Sequence, residues 1–135
     1  MRGVLCVAYP QIKMNANPKP DVISSGWGGF NNLNRYYANG QAYYFLSLTS
    51  DNRFDRLYTI NLGDKENALA TLNLLLNNFS TDASFACEDM SGEAFWIFGE
   101  NPMEKRYMIK KDSHAGYGYL RLVEIKKFIK ALSYE

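Results

Sequence analysis

The sequence predicts an α+β domain on three observations. Asn39-Gly40 sits between aromatic-rich arms, Asn34–Ala38 and Gln41–Phe45. Leu69, Leu72, Leu76 and Phe79 recur at three- and four-residue intervals, and the same succession of patterns returns in the second half of the chain. Asn-Gly favours the positive φ angles of a type I′ turn, whose twist suits a two-residue hairpin between antiparallel strands. A three-and-four spacing places apolar side chains on one face of a helix. Together these predict a mainly antiparallel sheet from two β-β-β-α units plus an N-terminal strand, with two helices packed on one face.

The elements follow in order. Gly3–Tyr9 is a short apolar run that reads as a first strand. After the hairpin, Leu46–Thr49 continues the second arm, Ser50-Asp51-Asn52 breaks it, and Arg56–Leu62 reads as a third strand. Asp64 can cap a helix through its carboxylate, and Glu66 suits the positive end of the helix dipole. A helix is expected over 65–79. The second unit repeats the order, with Ala83–Glu88, Ala94–Phe98 and Arg106–Lys111 as strands and a helix carrying Leu122, Ile125, Ile129 and Leu132 on one face. Tyr117–Val123 also alternates, so that helix can begin late. One domain over 1–135, with a pseudo-repeat of 33–79 and 83–133, accounts for the whole pattern.

Composition bounds the function. The chain has 135 residues, 47% of them hydrophobic and 21% charged, which is ordinary for a globular domain. No apolar stretch approaches the length of a membrane-spanning helix, and the N-terminus lacks the long apolar region and cleavage site of a signal peptide. Cys6 and Cys87 are the only cysteines, with no C-x-x-C spacing. A cytoplasmic protein with two thiols is expected. Charge is uneven: residues 63–102 carry one basic against seven acidic side chains, and residues 103–135 carry eight basic against four acidic. The overall net charge of +1 is small for a dedicated nucleic-acid binder.

No residue set announces a reaction. His114 is the only histidine and could act as an acid or base, or pair with Cys6 or Cys87 as a nucleophile, yet neither cysteine lies in a catalytic motif. Glu88, Asp89, Glu93 and Glu100 crowd one hairpin without the spacing of a calcium loop. No metal site and no cofactor is expected. The stretch 11–32 is long for a connection and contains Pro18, Pro20 and Ser24-Ser25-Gly26-Trp27-Gly28-Gly29-Phe30. It lacks the Lys-Ser/Thr of a phosphate-binding loop, and a protein-contact loop pinned by Trp27 and Phe30 is the better reading.

Both alternating faces of Tyr43–Leu46 and of Phe95–Phe98 are apolar, so the face away from the helices needs shelter. The sequence therefore favours a non-enzymatic protein-binding module of inhibitor, immunity or adaptor type. Its partner is another protein or a second copy of itself, engaged through Trp27, Phe30, Tyr43 and Trp96. A small enzyme or ligand-binding protein with a pocket near His114 and the 11–32 loop, with Cys87 as a further candidate, is the alternative. A single-stranded nucleic-acid binder stacking bases on Tyr43 and Trp96 beside the C-terminal lysines is a third.

Overall fold

Asn39 (φ 53°) and Gly40 (φ 77°) both adopt the left-handed region, and their neighbours Ala38 and Gln41 are register partners. This is the two-residue turn the dipeptide predicts. It joins β2 (Asn32–Ala38) to β3 (Gln41–Thr49), and β4 (Leu57–Gly63) completes the meander. The computed structural model describes residues 20–26, 31–51, 57–112 and 115–135. The expected Gly3–Tyr9 strand, Cys6, Trp27, Phe30 and His114 lie outside the described residues.

The α+β class and the two successive strand-then-helix units are present, and the structure adds one strand to each unit. β1 (Asp21–Ser25) pairs antiparallel with β2, so the 11–32 stretch is not an irregular connection throughout. A bulge between Val22 and Ser24 interrupts its alternation, which is why so short a run does not read as a strand. In the second unit β5 (Ser84–Glu88), β6 (Ala94–Glu100) and β7 (Arg106–Lys111) are followed by β8 (Gly118–Arg121), the alternating stretch before the helix. The strands form two four-stranded antiparallel sheets, β1-β2-β3-β4 and β5-β6-β7-β8. A bridge from Ser50 to Gly118 connects the end of β3 to β8.

Helix α1 (Lys65–Asn77) follows the first sheet and α2 (Leu122–Ser133) the second, and the two helices touch. Asp64 caps α1 by accepting from the Asn67 amide at 2.9 Å. Its buried stripe is Ala68, Leu72 and Leu75, with Leu69 and Leu76 at the margin. The expected 65–79 helix stops at Asn77, so Phe79 lies two residues past its end and packs against the same core. In α2 the buried stripe is Ile125, Phe128 and Leu132. These side chains join Leu33, Leu46, Leu48 and Ile60 from the first sheet and Phe95, Ile97, Ile109 and Leu120 from the second in one hydrophobic cluster. Neither unit shuts off its own apolar face, so each depends on the other for burial.

Two tyrosines in this cluster give the fold an alkaline limit. The Tyr107 hydroxyl donates to the Leu75 carbonyl at 2.6 Å, and burial pushes its pKa up to about 12. Tyr44 is also pushed up to about 12, by burial and then by its bond to Glu135. The folded state thus favours the neutral phenol over the phenolate. That contribution is whole below the ordinary tyrosine pKa of 10 and is lost as pH rises through about 12. Urea unfolding across this range is expected to show falling stability, and Tyr107→Phe should flatten the fall.

Candidate functional site

The alternation of β6 sends Phe95 and Ile97 into the core and turns Trp96, Phe98 and Glu100 to the opposite face. β7 does the same, with Tyr107, Ile109 and Lys111 inward and Arg106, Met108 and Lys110 outward. β8 turns Tyr119 and Arg121 outward, and β5 adds exposed Ser84, Ala86 and Glu88. The register aligns these residues in rows. Ala86, Trp96 and Lys110 form one, Ser84, Phe98, Met108 and Tyr119 the next, and Glu100, Arg106 and Arg121 the last. Trp96, Phe98, Met108 and Tyr119 are half-buried, and none belongs to the core cluster or packs against it.

The polar end of this face opens into a cleft of about 340 Å³ lined by Asn31, Asp51, Arg106, Tyr119, Arg121 and Glu124, among others. The Arg106 guanidinium lies 4.1 Å over the Tyr119 ring, a cation–π contact, and its Nε pairs with Glu100. Arg121 pairs with Glu104. The Tyr119 hydroxyl donates to Asp51 at 3.0 Å, and burial, followed by that bond, raises its pKa. Both arginines thus already face carboxylates, which suits a polar rim better than a dedicated anion pocket. Glu124 forms the floor. It is buried, and it accepts from the Asn31 side-chain amide at 3.0 Å and from the Arg121 backbone amide at 3.0 Å.

The first sheet treats its second face differently. Asn34, Tyr36, Phe45 and Asn61, all turned away from Leu33, Leu46 and Ile60, are buried. Asn61 donates to Tyr36 Oη and to Ser91 Oγ, both at 3.2 Å, so the β5–β6 hairpin covers part of this face. Tyr43 is half-buried with its ring 5.6 Å from that of Tyr36. The two sequence-predicted aromatics with described positions, Tyr43 and Trp96, therefore lie on different sheets. Cys87 faces inward on β5 and is buried in the core cluster.

The acidic hairpin has structural work. Asp89 Oδ1 accepts from the Ser91 and Glu93 amides at 2.9 and 3.0 Å, and its Oδ2 accepts from the Asn61 amide at 3.1 Å. Glu93 pairs with Lys111, and Glu100 with Arg106. Among the described residues no group of three or more histidine, cysteine or acidic side chains could hold a metal ion, and no helix is long and apolar enough to cross a membrane.

Phe98, Met108, Tyr119, Arg106 and Arg121 are site residues that sequence reading does not single out. The signal for Arg106 and Met108 is the strict alternation Arg106-Tyr107-Met108-Ile109-Lys110, in which the inward set is apolar and the outward set mixes charge with a thioether. Comparison with protein-family models, curated proteins and solved structures finds no match for the chain.

Proposed function

We propose that the chain is a non-enzymatic protein-binding module whose docking surface is the outer face of the second sheet. One observation carries this reading. Four large apolar side chains, Trp96, Phe98, Met108 and Tyr119, sit in adjacent rows of one sheet face outside the core cluster. Contiguous apolar surface rimmed by charge marks protein-contact sites, and tryptophan, tyrosine and arginine are the residues that dominate such contacts. Arg106, Arg121 and Lys110 with Glu100 supply the polar rim. A cytoplasmic location belongs to the same proposal, supported by a chain with only two cysteines.

This face, in place of the 11–32 stretch, carries the docking residues. Residues 21–25 serve as an edge strand, which gives that part of the stretch a structural duty. Trp96→Asp places a charge in the middle of the apolar rows. It is expected to abolish capture of specific partners from the source cells while leaving the thermal melt within a few degrees of wild type. Met108→Asp, one strand away, should lose the same partners. Unchanged capture by both variants, with the fold intact, would remove the proposal.

A further inference from the structure

We infer that the partner on this face is a second copy of the chain, packed face to face about a twofold axis parallel to the strands along the β6–β7 seam. The inference rests on the docking surface proposed above and names its occupant. Its ground is the register. β6 presents Trp96, Phe98 and Glu100, and β7 presents Lys110, Met108 and Arg106 directly across from them. An axis along the seam exchanges the two strands while keeping each row at its own level. Trp96 of one copy then lies over Lys110 of the second, Phe98 over Met108, and Glu100 over Arg106. All three pairings are attractive: cation on indole, thioether on phenyl, and carboxylate on guanidinium. Twofold symmetry makes each of them twice.

The competing axis, in the same plane but perpendicular to the strands through the Phe98 row, gives the opposite result. It sets Lys110 over Arg106 and Trp96 over Glu100. Like charges facing each other across a contact are costly, so the face selects the parallel axis. That axis also preserves strand direction, which is the aligned arrangement of two stacked sheets about 10 Å apart. The Glu100–Arg106 pair within each chain leaves these side chains 31% and 32% exposed, so both can bridge to the second copy.

Size sets the expected strength. Four strands about 4.8 Å apart and roughly six residues long offer about 400 Å² per copy. This is below the ~800 Å² per partner of a standard stable interface, so the dimer is weak and concentration-dependent.

Sedimentation velocity of the full chain across the micromolar range tests this. The wild type is expected to shift from one to two chain masses as concentration rises. Glu100→Arg and Arg106→Glu each place like charges across the contact, and each should weaken association at least about tenfold. An equimolar mixture of the two variants should associate again as a one-to-one heterodimer, and the double variant should recover self-association. Lys110→Ala, which removes the cation over the indole, should weaken the dimer without a charge reversal, and it serves if either reversal impairs folding. A wild type that stays monomeric throughout, variants that associate as the wild type does, or a mixture of folded variants that fails to associate would each overturn the inference. If the wild type is monomeric yet still captures other proteins through Trp96, the docking surface stands and the second copy is excluded. If both experiments fail, both readings fall.

Discussion

Replacing Lys111 by alanine is expected to lower the stability of the fold by about 3 kcal/mol, a large effect for a side-chain truncation outside the apolar core. Lys111 ends β7 on its inward face, opposite Phe95, and is only 2% exposed. Its Nζ donates to the Thr59 carbonyl of β4 at 2.6 Å and pairs with Glu93 Oε2 at 2.7 Å. β4 is the last strand of the first sheet, and an outer edge of this kind is prone to pair with other chains. Contacts from the second unit occupy it, among them Lys111 on the Thr59 carbonyl, Asp89 on the Asn61 amide at 3.1 Å, and the Met90 amide on the Asn61 carbonyl at 3.0 Å. Truncating Lys111 removes the first and takes the buried cation away from Glu93.

Glu93 is 40% exposed and regains water, which keeps the expected loss below that of a fully buried pair. At roughly 3–5 °C per kcal/mol for a chain of this size, the melting midpoint should fall by about 10 °C. Lys111→Met retains the packing of the aliphatic stem and isolates the polar part, so it should cost less than alanine. A Lys111→Ala midpoint within two degrees of wild type would show that the Thr59 and Glu93 contacts add nothing net.

Local chemistry was the legible part of this fold. Asn39-Gly40 specifies its turn because few residues tolerate positive φ, and Asp64 specifies the start of α1 because its carboxylate can satisfy an exposed amide. Alternation in β6 and β7 identified strands with two apolar sides. It did not say which side met the helices, because Trp96 and Phe95 are equally apolar. The division into two sheets was also hidden. Period-two patterning reports that a segment is extended, whereas strand partnership depends on contacts such as Ser50 with Gly118, far apart in the chain. β1 escaped because its bulge shifts the register in mid-strand. Lys111 resembled the neighbouring surface lysine in sequence, and only the approach of β4 makes it a buried tie. Tyr119 and Arg121 fall in the alternating stretch 117–123 that lets the helix begin late. That alternation is β8, but it does not say that these two side chains share a face with Met108 and Arg106.

Gly26 depends most on contacts distant in the chain, and alanine there is expected to cost about 3 kcal/mol through a steric route. A Cβ there would overlap the Glu124 carboxylate and press on the Asn31 carbonyl. The carboxylate has little room to yield. Glu124, 2% exposed, reaches back to the Arg121 amide at the start of α2, and it also accepts from the Asn31 side chain. Asn31 is held in turn, since it donates to the Tyr119 carbonyl at 2.6 Å and accepts from the Thr49 amide at 3.3 Å. Gly26 closes the set by donating to the Asn31 carbonyl at 2.6 Å. This cluster ties Gly26 after β1 and Asn31 before β2 to the end of β3, β8 and α2 at the floor of the cleft, and so joins the first unit to the helix of the second. Glu124→Ala removes the carboxylate that receives the Arg121 amide and leaves Asn31 short of a partner, at an expected cost also of about 3 kcal/mol. The two losses should not add. With the carboxylate gone, the tightest remaining approach to Gly26→Ala is the Asn31 carbonyl at 3.1 Å, and its penalty should fall below about 1 kcal/mol, a coupling of roughly 2 kcal/mol in a double-mutant cycle read by urea unfolding. If alanine at position 26 costs the same in both backgrounds, the obstruction does not come from Glu124, and the buried carboxylate is not what makes glycine necessary there.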